Sequence, residues 1–356
     1  MNKLKTKVVR YLFLVTIVIG SYAAWQIWQY NIFLNTAINI PKEGLVYNIK
    51  PGMTLIRIIN DLKNKKIIDD TRYLLWHARF SGSADKIRIG EFNIPYNSNP
   101  RQLLSILISD KVISYSLTII EGWNFEQLIN AINNNKIIEH TISGLNKKEI
   151  MSKLNLENIH YEGQFLPDTY HFPRGTTDIE FLRRSYNAMT QFLETEWQNR
   201  QVGLPLKSSY EALTLASIVE KETGLVSERK KIAGVFIRRL QIGMRLQSDP
   251  TVIYGMGDRY KGNIRRADLK QKTIYNTYRR HGLPPTPIAL PGRDAIHSTL
   301  HPDDSNALYF VARGDGSHYF SATLNEHNNA VIKYQLKGRK RNFSSYKVKN
   351  DKQNAR

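Results

Sequence analysis

The residues that could do chemistry begin with a carboxyl group, Glu220. The chain of 356 residues contains no cysteine, which excludes thiolate nucleophiles, cysteine-based zinc sites, iron–sulfur clusters and disulfides. A catalyst must therefore use carboxylates, histidines, hydroxyls or lysines. Glu220 follows the apolar run 213–219. Partial burial would disfavour its ionised form and raise its pKa, which suits a general acid near neutral pH.

A purely structural role is the alternative for Glu220. It could pair with Lys221, Arg238 or Arg239, or close the apolar helix face, and periodicity alone favours this role. Glu222 lies two positions further on, about 200° round an α-helix, so we expect it on a different wall from Glu220.

Other polar segments offer partners for an acid. A two-carboxylate hydrolase needs a second acid about 5 to 9.5 Å away, and only the fold could bring Asp168 or Asp249 into that position. Segment 244–255 is rich in groups that bond sugar hydroxyls, although an ordinary Asp-Pro turn explains it equally well. Residues 275–278, followed by Gly-Leu-Pro-Pro at 282–285, predict a rigid loop displaying aromatic and amide groups.

Metal and phosphate chemistry are not indicated. His297 and His301 are four residues apart, but Pro302 follows immediately and the sequence has no HExxH pattern. Glycine-rich phosphate loops, serine nucleophile elbows and kinase signatures are also absent from the sequence. We predict no metal and no organic cofactor.

The amino-terminal residues predict a membrane segment. Four basic residues lie within residues 1–10, and an apolar stretch of 18 residues, 11–28, follows them; as a helix it is about 27 Å long. We predict a cytoplasmic terminus at 1–10 and a transmembrane helix at 11–30. Small residues at 21–23 also allow a cleaved signal peptide, but the apolar run continues past them to Trp28.

The chain is strongly basic. Its 51 Lys and Arg against 31 Asp and Glu give a formal net charge of +20, which implies an anionic neighbour: nucleic acid, acidic lipid or an anionic polymer. Part of this charge lies in a basic tail, 336–356, which we interpret as solvated, with weak attraction to lipid or wall polymer. An extracytoplasmic chain has little access to nucleic acid, so nucleic acid is not a predicted partner.

Between the two ends, periodicity predicts an α+β protein. Composition is that of a globular chain, with 41% hydrophobic and 23% charged residues. A small αβ module combines strands at 46–49 and 86–94 with helices from Leu55, at 73–80 and at 103–108. Further on, the pattern predicts a strand at 117–120 and helices at 179–198 and 210–223, and glycines 52 and 122 are predicted to hold equivalent turns.

Several ordered motifs resemble one family. Residues 215–223 read LASIVEKET, 245–255 read RLQSDPTVIYG, and 275–278 read YNTY before 282–285, GLPP. The likeness extends upstream to EGQFLPDTY at 162–170, and downstream to HYF and EHN. Together these motifs closely resemble the endolytic murein transglycosylase (YceG-like) family.

The resemblance implies an inner-membrane protein with a LysM-like module at 45–113 and a periplasmic α+β catalytic domain at 114–335. The family cuts the bond between N-acetylmuramic acid and N-acetylglucosamine in peptidoglycan without water, leaving 1,6-anhydro ends. By this resemblance Glu220 is the catalytic acid, and the substrate's own C6 hydroxyl is the nucleophile. The family acts on nascent strands beside glycan polymerases, so penicillin-binding proteins are expected partners.

Six residues are predicted to bind the glycan or to orient Glu220. They are Gln247, Asp249, Thr251, Tyr254, Tyr275 and Asn276. The first rival interpretation is a membrane-tethered peptidoglycan-binding scaffold without activity. The second is a two-carboxylate hydrolase, whose product would be one water heavier, and a nucleic-acid-binding protein is a distant third.

Overall fold

The computed structural model describes residues 2–336 and 338–339 and divides the chain into two compact units. Unit 1 holds the chain up to Ser116 with the short segments Ile137–Glu139 and His171–Thr176. Unit 2 holds Leu117–Lys136, His140–Tyr170 and the chain from Thr177 onward. Except for Leu336, Gly338 and Arg339, the predicted basic tail at 336–356 lies outside the described residues.

Unit 1 begins with a long helix, α1 (Asn2–Asn35). Its stretch Lys7–Asn35 is long and apolar enough to cross a membrane, and no second helix of this kind occurs in the described part of the chain. The helix is longer than the predicted 11–30, because no glycine or proline interrupts residues 31–40. Phe33 and Leu34, which lie beyond the predicted helix, are helical; Leu34 is fully buried and Phe33 packs against the core of unit 1.

The rest of unit 1 is a small αβ module, whose order is strand, two helices, strand, helix. Its elements are β1 (Leu45–Ile49), α2 (Leu55–Asn64), α3 (Arg72–Phe80), β2 (Gly90–Ile94) and α4 (Pro100–Leu107). β1 and β2 are antiparallel, with Leu45 opposite Ile94 and Ile49 opposite Gly90. The predicted elements are thus present, and a LysM-like identity for the module stays a prediction.

One predicted strand is shorter than expected. The alternation through Ile87 and Ile89 predicts a strand over 86–94, but β2 begins only at Gly90. Gly90 has φ +128°, a conformation that L side chains rarely adopt and that ends the regular strand. Ile89 is consequently half exposed.

A second two-stranded sheet joins β3 (Ser114–Thr118) to β4 (Thr169–Pro173), and the boundary between the units passes through both strands. The predicted strand at 117–120 is therefore displaced toward the amino terminus. The two predicted glycine turns are confirmed: Gly52 has φ +78° and Gly122 has φ +76°, and a helix follows each of them.

Unit 2 is mainly helical. Its helices are α5 (Phe125–Asn133), α6 (Lys147–Lys153), α7 (Asp178–Gln198), α8 (Ser209–Glu222), α9 (Val226–Gln241), α10 (Asp249–Met256), α11 (Arg266–Lys270), α12 (Arg293–Leu300) and α13 (Leu324–Tyr334), with a 3-10 turn at Gly257–Arg259. The strands β5 (Tyr309–Ala312) and β6 (His318–Ser321) form an antiparallel hairpin. The α+β prediction is confirmed.

Helix α8 is the centre of unit 2. The Ser208 hydroxyl caps it by accepting a hydrogen bond from the Glu211 N–H. Every residue from Ala212 to Glu220 is buried, and α8 packs against α9 and α12. A helix buried on all sides must carry apolar residues all round, as predicted for 210–223. The helix ends at Glu222, so the last carboxyl lies at the edge of the core.

Candidate active site

A cavity of about 530 Å³ opens beside the carboxyl end of α8. Its polar lining comes from parts of the chain that are distant in sequence. These residues are Glu222, Arg239, Gln247, Asp249, Tyr278, Tyr309, His318, His327, Asn328 and Gln335. The end of α8, the start of α10, the loop through Tyr278, the β5–β6 hairpin and α13 therefore meet at one place.

Glu222 has the electrostatics of a general acid. The pKa of its carboxyl is raised to about 7, chiefly by burial and also by the negative charge of Asp249, against the opposing effects of Ser248 and Arg239. The Ser248 hydroxyl donates to Glu222 Oε1 at 2.5 Å. Near pH 7 a substantial fraction of Glu222 is therefore protonated and can donate a proton.

The floor of the cavity is held by hydrogen bonds around the start of α10. The Tyr278 hydroxyl donates to Asp249 Oδ1 at 2.6 Å. Arg239 is buried, and its guanidinium donates to the carbonyl oxygens of Leu246 and Leu308. Gln247 has φ +52°, which is uncommon for a residue with a side chain. Strained backbone of this kind clusters at functional sites.

The hairpin and α13 supply the opposite side of the cavity. His318 Nδ1 lies 2.7 Å from Glu228 Oε2, while the His327 ring stacks on Tyr309 at 5.2 Å. Burial lowers the pKa of His327. Its Nδ1 and the Nδ2 of Asn328 are buried without a hydrogen-bond partner, and Asn328 is only 6% exposed. Buried polar groups are normally bonded, so these two atoms are exceptions, and both residues line the cavity.

Glu220 has different surroundings. Its Oε1 accepts from Arg229 Nη2 at 2.9 Å and its Oε2 accepts from the Gly292 N–H at 2.9 Å. Burial raises the pKa of Glu220, while Gly292 and Arg229 oppose the rise. Glu121 bonds the same Arg229 nitrogen at 3.0 Å. Glu220 does not line the cavity that holds Glu222.

Glu220 forms an ion pair, but its partner differs from the three that the sequence suggested. The partner is Arg229, and not Lys221, Arg238 or Arg239. Lys221 Nζ lies 3.2 Å from the Gly122 carbonyl oxygen, and the guanidinium of Arg238 donates to Asp303 and to Ala307. The side chain of Arg229 is 4% exposed and that of Glu220 is 5% exposed, so this is a buried charge pair of the kind that fixes a core.

A second cavity, of about 670 Å³, shares α8 and α10 with the first, since Lys221 and Tyr254 line it. Its other lining residues include three tyrosines, three amides, one lysine and three acids; Glu162 is the buried acid, and Glu126 and Asp258 are exposed. The lining residues include Asn124, Gln127, Asn130, Lys147, Tyr161, Glu162, Tyr260 and Tyr275. Burial raises the pKa of Glu162 to about 7, and its carboxyl accepts from the Phe125 N–H at 2.9 Å and the Tyr254 hydroxyl at 3.0 Å.

The six predicted binding residues are divided between three places. Gln247 and Asp249 line the cavity with Glu222, and Tyr254 and Tyr275 line the second cavity. Thr251 and Asn276 are 0% exposed.

The two buried residues stabilise loops. Thr251 Oγ1 donates to the Ser248 carbonyl at 2.7 Å, and Asn276 Nδ2 donates to that of Gln271 at 2.7 Å. The prediction for both was glycan binding or orientation of Glu220, and their full burial favours a positioning role.

Comparison with known proteins agrees with these motifs. The YceG-like family model matches residues 47–333. This chain belongs to the YceG-like family. It is 30% identical over 314 residues to the endolytic murein transglycosylase of Bacillus subtilis, covering 82% of this chain and 85% of that protein. The endolytic murein transglycosylase of Streptococcus pneumoniae (strain D39) is 25% identical over 330 residues, covering 82% of this chain and 59% of its own length.

A solved structure of a YceG-like protein is also similar. The crystal structure of a YceG-like protein from Listeria monocytogenes has a TM-score of 0.50 and 27% identity to this chain. The match covers 81% of this chain and 99% of that one. The likeness therefore extends across most of the YceG-like chain described here.

Sequence reasoning had missed several residues of this YceG-like site. The helical spacing predicts that Glu222 lies on a different wall from Glu220, and the cavity opens on the wall of Glu222. Tyr278 and Asn328 lie inside the motifs YNTY and EHN, and the sequence predicts no role for either residue. Arg229 had no signal beyond its position in α9, nine residues from Glu220.

One cluster has the side chains of a metal site. Glu196, His297 and His301 place potential ligand atoms within 4.8 Å of one another. His297 Nδ1 lies 2.9 Å from Glu196 Oε2, while the two ring nitrogens of His301 face the carbonyl oxygens of His297 and Asn199. The cluster lines neither of the two cavities.

Proposed function

We propose that this chain is an endolytic murein transglycosylase. It cuts the bond between N-acetylmuramic acid and N-acetylglucosamine in nascent glycan strands, leaves 1,6-anhydro-N-acetylmuramic acid ends, and so terminates strand growth. The observation that carries the proposal is the cavity in which Glu222, a glutamate with a pKa of about 7, lies beside residues of the motifs at 245–255 and 275–278. The names of the relatives support the same reaction.

The reaction balances with one protein carboxyl. The protonated Glu222 gives its proton to the glycosidic oxygen as the bond from that oxygen to C1 breaks. Glu222, now a carboxylate, takes the proton of the C6 hydroxyl, and the C6 oxygen bonds to C1. The proton returns to the protein, and no water is consumed.

Glu222 fits this role better than Glu220, the acid implied by the family resemblance. Glu222 lines a cavity and accepts one hydrogen bond from a hydroxyl, so its second oxygen can face a substrate. Both oxygens of Glu220 are bonded, one of them to Arg229, which favours the ionised form. We therefore assign the acid to Glu222 and a positioning role in the core to Glu220.

Asp249 and Gln247 are proposed to orient the sugar beside Glu222, and the second cavity is proposed to hold the strand further from the cut. Tyrosines and amides suit neutral N-acetylated sugars, because aromatic faces pack on sugar rings and amides bond hydroxyl and acetamido groups. An extended site of this kind suits cleavage within a strand.

The pH dependence of strand cleavage should follow the titration of Glu222. Since its acid form is needed and its pKa is about 7, we expect kcat/KM to fall as the pH rises through about 7. Asp249→Asn removes a charge that raises this pKa, so the alkaline fall moves to lower pH. Ser248→Ala removes a hydrogen bond that lowers it, so the fall moves to higher pH. Strand cleavage measured from pH 5 to 9 checks both; a shift of the same sign in the two variants would contradict the assignment.

The second cavity should matter most for long strands. We expect Tyr260→Ala to raise KM about tenfold, equivalent to about 1.4 kcal/mol, for strands long enough to reach both cavities, with little change in kcat. Short oligosaccharides should be cleaved as by the wild type. Val202→Ala, at a residue 95% exposed and outside both cavities, is the matched control. An equal loss for short and long substrates would refute the extended site.

The location of the enzyme follows from α1. We propose a single-pass anchor in the inner membrane, with the amino terminus cytoplasmic and the catalytic unit periplasmic, because basic residues precede the apolar stretch. Penicillin-binding proteins of the elongation machinery are the proposed partners, and residues 45–113 are proposed as a LysM-like module. Reporter fusions at either end of α1 test the topology.

The two-carboxylate hydrolase is the rival that a specific observation favours. Asp249 lines the cavity with Glu222 and raises its pKa, so a second carboxylate is present, as that mechanism requires. Asp168 does not line this cavity. The masses of the products separate the two reactions, because hydrolysis adds one water.

A further inference from the structure

Helix α3 is fixed against the outer end of α1. The Tyr73 hydroxyl donates to Gln26 Oε1 at 2.8 Å, and the Tyr30 hydroxyl lies 2.9 Å from His77 Nδ1. The ring of Phe33 packs on Tyr73 at 5.7 Å between centroids. Three contacts spread over two turns of α1 hold α3 at the level of residues 26–33.

That level is the boundary of a membrane crossed by α1. A hydrocarbon core of about 30 Å needs about 20 helical residues, and twenty residues counted from Tyr11, the first after Arg10, end at Tyr30. Trp25 and Trp28 are 49% and 58% exposed on α1 at this height. Exposed tryptophans near the end of a span are typical of the membrane interface.

The outer face of α3 has the composition of an interfacial helix. Arg72, Trp76, Arg79 and Phe80 are its exposed residues, and their spacing of four, seven and eight places them on one face. Trp76 is 45% exposed and Phe80 is 84% exposed. Aromatic side chains flanked by guanidinium groups suit the layer between acyl chains and anionic headgroups.

The charge of the surrounding module also favours contact with anionic lipid. Residues 45–113 contain 11 Lys and Arg against 6 Asp and Glu, so the module is basic. Asp70 bonds Arg72 at 2.7 Å, but this pair is exposed and can open to a phosphate. A basic surface beside a membrane span attracts anionic lipid.

We propose that the outer face of α3 lies in the headgroup layer of the membrane that α1 spans, with Trp76 and Phe80 inserted among anionic phospholipids. The proposal rests on the proposed anchor role of α1 and is independent of the enzymatic activity. The membrane would then hold the amino-terminal module in a fixed orientation through two elements, because a single helix alone leaves it free to rotate.

The lack of cysteine permits a direct test. The full-length chain is prepared as Phe80→Cys, Val18→Cys and Val202→Cys, labelled with an environment-sensitive fluorophore, and reconstituted into vesicles of phosphatidylethanolamine and phosphatidylglycerol. Val18 lies within the span and is 66% exposed in the protein, and Val202 in unit 2 is the control, 95% exposed. We expect the label at position 80 to be quenched by spin-labelled lipid and to show several-fold less iodide quenching than the label at position 202.

Two results would overturn the proposal, and they differ in what they say about the anchor. Lipid contact at position 18 together with full iodide access at position 80 would overturn the proposal and leave the anchor intact. Iodide access at both positions would overturn the anchor and the proposal together. Trp76→Cys repeats the measurement at a second position, and circular dichroism checks that each variant is folded.

Discussion

Glu222→Gln should lower kcat for strand cleavage by about 10²–10⁴-fold, the usual contribution of a general acid. The amide has nearly the same size as the carboxyl and can still bond Ser248, so the cavity and its affinity for glycan should be kept. The measurement is the rate of cleavage of uncrosslinked glycan strands, with binding to purified peptidoglycan measured in parallel. Unchanged binding with lost cleavage is the expected pattern.

Glu220→Gln is the matched variant, at a position two residues away on the same helix. It removes the negative charge that pairs with Arg229, so we expect a lower melting temperature and, in the folded protein below it, cleavage within about tenfold of the wild type. The reverse pattern, in which Glu220→Gln abolishes cleavage and Glu222→Gln does not, would return the acid to Glu220. A scaffold would show no cleavage in any form.

Arg229→Met should reduce the free energy of unfolding by about 3–5 kcal/mol, the cost of removing one partner from a buried ion pair. The loss arises because Glu220 remains buried without its cation, close to Glu121, which bonds the same nitrogen. The side chain of Glu121 is 45% exposed, so most of the lost stability comes from the unpaired, buried charge of Glu220. Chemical denaturation of the purified protein measures it.

Arg238→Met is the control for this prediction. Arg238 lies on the same helix and pairs with Asp303, but both side chains are more exposed, at 17% and 23%, so the loss should be smaller. Adding Glu220→Gln to Arg229→Met should restore part of the stability, since the uncompensated charge is removed. A loss below about 1 kcal/mol for Arg229→Met would mean that the pair is not buried in solution.

Local patterns predicted the elements well. The run of apolar residues from Leu213 to Val219 predicted α8 to within one residue at each end, because a helix buried on all sides needs apolar residues all round. The alternation at 86–94 predicted too long a strand, because the positive φ of Gly90 interrupts regular strand geometry there. Helix α1 continues past residue 30 because no glycine or proline interrupts residues 31–40, and the buried side chain of Leu34 lies in this extension.

The arrangement of the candidate active site depends on contacts between distant parts of the chain, and no local sequence pattern contains these contacts. Glu222 and His327 are more than a hundred residues apart, yet they line one cavity because the β5–β6 hairpin and α13 fold back to the end of α8. Motif order placed the right segments together but could not say which glutamate faces the cavity. Burial also separated Thr251 and Asn276 from their neighbours in the same motifs, since their side chains bond loop carbonyls.

The most direct test of the central claim is the mass of the products released from uncrosslinked glycan strands by the wild-type protein. We predict internal fragments with anhydro ends, formed by the wild type and not by Glu222→Gln. Fragments one water heavier would contradict the transglycosylase mechanism and would identify a hydrolase, with Asp249 as the first candidate for its second carboxylate.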